Sequence, residues 1–95
     1  MYQKLDGIEW YERKTSVKSP LGLHGRPAVD LSGVAGQYAG RVLLIYKESS
    51  IDMKTPMELL LHCIFHSSSV IVRVEKGEGC ERIASQLVEI LERTD

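Results

Sequence analysis

The sequence predicts an α+β fold of two layers, one sheet with helices packed on one side. Three observations carry that expectation. The chain has 95 residues, which is one domain's worth. Its apolar residues switch between a period of two and a helical period along the chain. The resulting order is β-α-β-β-α-β-α, and a chain of this kind buries its strands against helices from one side.

Residues 1–8 are mixed in character and read as an N-terminal extension, with the domain proper at 9–95. "WYERKTSV", residues 10–17, places aromatic and β-branched residues among polar ones and predicts a first strand. "KSPLG" breaks it. A first helix is expected from Pro27, because proline's missing N–H costs nothing in a first turn. Ala28, Leu31, Ala35 and Tyr38 would form its apolar face, and Gly40 would stop it. "RVLLIY", 41–46, reads as a second strand, "KESS" as a turn and "IDMK", 51–54, as a third strand.

The "TPME" that follows has the form of a capping box. Thr55 would be the cap, Pro56 the first helical residue and Glu58 the reciprocal partner. Met57, Leu60, Leu61 and Ile64 follow at helical spacing, and the helix is expected to end between His62 and His66. Val70, Val72 and Val74 alternate in "VIVRV", the clearest strand in the chain. After "EKGEG", Ile83, Ala84, Leu87, Val88 and Leu91 mark a last helix over 80–93.

Composition excludes several classes. Formal net charge is −1, with no long basic or acidic run, which argues against bulk-charge binding to nucleic acid or membrane surface. No apolar stretch reaches membrane-spanning length, and "MYQKLDGIEWYERK" lacks the apolar core of a secretory signal. The expectation is a cytoplasmic protein. Cys63 and Cys80 lack metal or redox spacing and read as two reduced thiols. His62 and His66 stand four apart in "HCIFH", but no further ligand cluster is evident, so no metal is assigned. Ser19 and His24 could suggest a hydrolase corner, yet no third orienting residue accompanies them.

The informative stretch is "LGLHGRP", residues 21–27. His24 sits just ahead of a helix start, where free N–H groups and the helix dipole favour an anion. Gly25 adds an N–H with no side chain in the way. Arg26 adds a fixed positive charge in a fork that suits phosphate oxygens. A neutral imidazole is a nucleophile near neutral pH. Together these groups could accept a phosphoryl group on His24, hold its oxygens and release it to another acceptor. The plain structural alternative is a turn histidine that caps the helix or faces solvent.

"GLHGRPA", residues 22–28, resembles the phosphorylation-site motif of the HPr family, the histidine-containing phosphocarriers of the bacterial phosphotransferase system. "MKTPMELL", residues 53–60, resembles that family's second motif. The likeness spans roughly residues 9–93. It implies an HPr-like open-faced two-layer β-sandwich, a four-stranded antiparallel sheet covered on one face by three helices. It implies a phosphoryl carrier for sugar transport and carbon regulation rather than an enzyme in the strict sense, with no cofactor. His24 would be acceptor and donor through Nδ1 and Arg26 would steady the phosphate, while Gly22 and Pro27 shape the corner. Thr55 would occupy a regulatory phosphosite. Pro56, Met57, Leu60 and Leu61 would belong to a docking face. The implied partners are enzyme I, EIIA-type acceptor domains and an HPr kinase/phosphorylase, meeting a monomer. Pro56 to Cys63 departs from the family's usual docking segment, which keeps open an HPr-like regulatory interaction module with little carrier activity.

Overall fold

The computed structural model describes residues 1–94. Along the chain, β1 (Tyr2–Leu5) and β2 (Ile8–Ser16) are followed by α1 (Gly25–Ala35). Next come β3 (Val42–Tyr46), β4 (Ser49–Asp52) and α2 (Pro56–Leu61). β5 (Ser69–Glu75) and α3 (Cys80–Leu91) complete the order. The strands form one antiparallel sheet in the order β1-β2-β5-β3-β4.

Strand alternation decides which face is covered. Arg13, Val72, Leu44 and Ile51 share one row across the sheet, and Tyr11, Val74 and Val42 share the next. The apolar members of these rows join Ala28, Leu31 and Ala35 of α1, Leu59 of α2, and Ile83, Ala84 and Leu87 of α3 in one buried core. The opposite face carries the polar alternates, including the buried ion pair of Glu12 with Arg73 at 2.5 Å. Arg41 lies over the ring of Trp10, 5.8 Å from its centroid.

The α+β class and the helical layer stand as expected, with five strands in place of four. The added strand, β1, comes from the segment read as an extension. An Asp6-Gly7 turn, both residues at positive φ, folds it back so that Gln3 faces Trp10 and Tyr2 faces Tyr11. Tyr2 is further tied to α3, its hydroxyl donating to Glu81 at 2.7 Å. Trp10 therefore lies inside the sheet rather than on its edge. The period-two signal in "YQKL" is too short and too polar to separate from coil.

Other boundaries move for local reasons. α1 begins two residues before Pro27, which occupies its third position. It stops at Ala35, so Tyr38 lies beyond the helix and Gly40 is not its terminator. Tyr38 is still buried: its hydroxyl donates to Glu75 O at 2.6 Å and its ring sits against Gly40 and Gly77, where a Cβ would approach to 2.8 and 2.5 Å. The β3–β4 turn is only Lys47-Glu48, so β4 starts at Ser49 and ends before Met53 and Lys54.

The second helix is the largest departure. Thr55 is the N-cap and Pro56 opens the helix, but the threonine side chain makes no capping bond, so the capping box does not close. α2 is six residues long and ends at Leu61. Its buried residue is Leu59, with Ile64 buried just beyond, whereas Met57 and Leu61 are exposed. α3 ends at Leu91, and Arg93 beyond it reaches Asp30 of α1 at 2.6 Å.

Candidate functional site

His24 ends a corner, residues 17–24, that joins β2 to α1. The backbone first turns at Ser19: Gly22 N–H donates to Ser19 O at 2.9 Å, and Leu21 N–H to the buried Ser19 hydroxyl at 3.3 Å. Gly22 then takes φ +72, a conformation that costs other residues energy. A Cβ there would lie 2.6 Å from Ile64 O, so the glycine is required twice over. Leu23 N–H donates to the same Ile64 O at 2.9 Å. The corner therefore rests on the segment that follows α2.

His24 is the N-cap residue of α1, with φ −105 and ψ −171. Its side chain makes no capping bond, which sets aside the capping alternative. The ring is half-buried. Nε2 is enclosed and has no hydrogen-bond partner. Ala28 N–H is the first of the helix to find an acceptor on this turn, His24 O at 3.1 Å. Pro27 has no N–H, and those of Gly25 and Arg26 precede the first intrahelical bond and so have no acceptor within the helix. Arg26 is exposed and, among the described residues, forms no ion pair. Pro27 is buried and fixes the first turn. A Cβ on Gly25 would meet nothing within 4 Å, so its absence is not a packing requirement.

The corner, α1, α2 and the segment after α2 carry five large exposed apolar side chains. Leu21 is 76% exposed, Val29 58%, Met57 63%, Leu61 71% and Phe65 70%. Leu21 belongs to the corner itself and Val29 to the second turn of α1. Met57 and Leu61 stand four apart on the outer side of α2, which packs against α1. Phe65 borders Gly22, where a Cβ would sit 3.2 Å from the Phe65 Cα. Leu60 is half-buried against the core and Pro56 is half-buried at the helix start.

Several sequence-level expectations change here. Of the four residues expected in a docking face, Met57 and Leu61 are exposed, whereas Pro56 and Leu60 are half-buried. Leu21, Val29 and Phe65 were not singled out by spacing. Val29 does carry a usable signal, being apolar but off the Ala28-Leu31-Ala35 stripe. Ser19 is buried and its hydroxyl accepts the Leu21 N–H within the turn. His66 does not simply face solvent: its Nδ1 lies 3.0 Å from Ser19 O. Thr55 is half-buried and its hydroxyl makes no cap bond. Lys54 donates from Nζ to Tyr38 O at 2.7 Å, which ties the start of α2 to the loop after α1. Among the described residues, no group of three His, Cys, Asp or Glu side chains is placed to hold a metal. No helix among them is long and apolar enough to cross a membrane. Both cysteines are free thiols, Cys63 exposed and Cys80 buried.

An open sheet with one helical layer, and a surface histidine at a helix start beside a free arginine, defines the HPr-like class of α+β proteins. The chain belongs to the PTS-HPr family, described as the PTS HPr component phosphorylation site, which matches residues 11–93. The fold is similar to that of the histidine-containing phosphocarrier protein of Mycoplasma, with a TM-score of 0.78 at 18% identity over 84% of this chain and 90% of that one. It is similar to the phosphocarrier protein HPr of Bacillus anthracis, with a TM-score of 0.78 at 17% identity over 86% and 96%. It also resembles Crh, the catabolite repression protein of Bacillus subtilis, with a TM-score of 0.63 at 21% identity over 87% and 97%; that protein is a dimer with a swapped domain. The family makes this chain a phosphocarrier of the phosphotransferase system, a carrier rather than a catalyst.

Proposed function

We propose that His24 takes a phosphoryl group from phospho-enzyme I, charged by phosphoenolpyruvate, and passes it to an EIIA-type acceptor. One observation supports this reading: the imidazole stands at the N-cap of α1 with Nε2 enclosed, which leaves Nδ1 as the candidate nucleophile, two residues before an exposed arginine that forms no ion pair among the described residues. In the neutral ring with its lone pair on Nδ1, the proton sits on the enclosed Nε2. Nδ1 attacks phosphorus as the donor's P–N bond breaks. The product phosphate carries negative charge against the Gly25 and Arg26 N–H groups and the Arg26 side chain. The same steps run in the opposite direction into the acceptor. Loose, positioned transfer of this kind needs little from the protein beyond placement and charge.

Leu21, Val29, Met57, Leu61 and Phe65 would meet both partners. An apolar patch of single side chains with one cation suits brief docking. The relay's use of phosphoenolpyruvate puts the protein in the cytoplasm. Thr55 is the candidate regulatory site for an HPr kinase/phosphorylase, since its hydroxyl is not committed to a cap. A phosphate there would add two negative charges next to the docking face. The second reading is a regulatory interaction module. The fold likeness to Crh and the unusual Pro56–Cys63 segment support it.

Intact mass after incubation with phosphoenolpyruvate and enzyme I of the same source tests the first reading. One acid-labile phosphate is expected on the wild type and none on His24→Ala. A folded wild type that stays unlabelled, beside an HPr control that labels, would favour the module.

A further inference from the structure

We infer that His66 is a positioning residue for the phosphoryl corner. This rests on His24 being the phosphoryl site. The segment 64–68 runs beside 17–23 and joins it at several points: Val17 N–H to Ser68 O at 3.0 Å, Ser67 N–H to Val17 O at 2.7 Å and Leu23 N–H to Ile64 O at 2.9 Å. All of these are backbone bonds. The His66 ring supplies a side-chain bond to the same seam, Nδ1 to Ser19 O at 3.0 Å. Ser19 O is also the acceptor that closes the Gly22 turn at 2.9 Å. One carbonyl thus receives the turn's own N–H and the ring's N–H. Locking its direction fixes the plane of the following peptide and the path to His24.

The supporting segment needs such a lock. Cys63 at φ +49 and Ser67 at φ +71 place two residues with side chains in the left-handed region at either end of 64–66. Each costs free energy that the surrounding bonds must offset. Released, the segment would relax away from Gly22, and the corner would lose the surface against which Gly22 and Leu23 are held. A carbonyl can only accept, so the His66 ring must carry its proton on Nδ1, and it donates equally if Nε2 is protonated too. Phosphoryl transfer is sensitive to placement of the attacking atom, so a small drift at His24 lowers the rate without disturbing docking.

The test compares wild type, His66→Phe, which keeps a ring and removes the donor, and His66→Asn, whose amide can replace Nδ1–H. The ¹⁵N shifts of wild-type His66 should show the Nδ1–H tautomer or the imidazolium. The Nε2–H tautomer would overturn the inference. In His66→Phe, amide exchange at Gly22 and Leu23 should rise about fivefold to tenfold, the worth of one hydrogen bond. Phosphoryl acceptance from enzyme I should slow by a similar factor with its half-saturating concentration unchanged, and His66→Asn should restore both. Unchanged exchange would contradict the lock, and faster exchange with unchanged transfer would contradict the positioning role. If the wild type takes no phosphate, the carrier reading fails by itself, and the tautomer and exchange results still decide whether His66 holds the corner.

Discussion

At the scale of single residues, the two glycines beside His24 make opposite demands. Gly22 is held at positive φ with Ile64 O where a Cβ would go. Gly22→Ala should therefore destabilise the chain by about 2 to 4 kcal/mol in denaturant unfolding and impair phosphoryl acceptance, since strain and a backbone clash add. Gly25 is in helix with open space around it. Gly25→Ala should stabilise the fold by about 0.4 to 1 kcal/mol and still accept phosphate, because alanine lowers the entropy of the unfolded chain. The sequence marked both positions as parts of one corner but could not rank them. The difference lies in a contact with residues 64–66, forty positions away. Tyr38 shows the same limit. Its spacing put it on a helix face; burial was right and the helix was not, because the phenol is held by Glu75 O and by the gaps at Gly40 and Gly77.

Among the elements, α2 is the sharpest test of the docking account. Its buried side is Leu59 and its outward residues are Met57 and Leu61. Leu59→Ala should cost about 2 to 5 kcal/mol of stability, as for other large-to-small changes in a core. Met57→Glu and Leu61→Glu should leave the unfolding midpoint nearly unchanged, yet raise the half-saturating concentration for enzyme I. Equal loss of stability in all three would deny the outward face its role. Thr55-Pro56 marked where this helix starts, but the 3.6-residue spacing gave neither its end nor its rotation, since in so short a helix nearly every residue is apolar and no stripe is distinct. β1 was legible only as an extension. The family match begins at residue 11, so removal of residues 1–7 should leave a chain that still accepts phosphate. Its unfolding midpoint should fall, since the strand ladder of β1 on β2 and the Tyr2–Glu81 bond are lost together.

For the whole molecule, the order of strands and helices and the buried face of the sheet could be read from alternating valines and helical stripes. Which apolar side chains of α1, α2 and the corner stay exposed could not, because that depends on how these segments pack against one another. Alkaline pH gives a global prediction. Burial first, then the negative charge near Cys80 and Glu75, raises the Tyr38 phenol above its ordinary value of 10.0. Below that value both folded and unfolded chains hold the proton, and the contribution is fully present. Above it the unfolded chain ionises first, so stability falls as pH rises further. Tyr38→Phe should be less stable at neutral pH, having lost the Glu75 bond, but should show a shallower alkaline decline in thermal unfolding.

The central claim is that phosphate resides on one nitrogen of one residue. The direct measurement is ¹⁵N and ³¹P NMR of histidine-labelled protein after charging by phosphoenolpyruvate and enzyme I. A single phosphoramidate on Nδ1 of His24, with His62 and His66 unmodified, is the predicted result. Phosphate on Nε2, on another histidine or on Thr55 alone would contradict it.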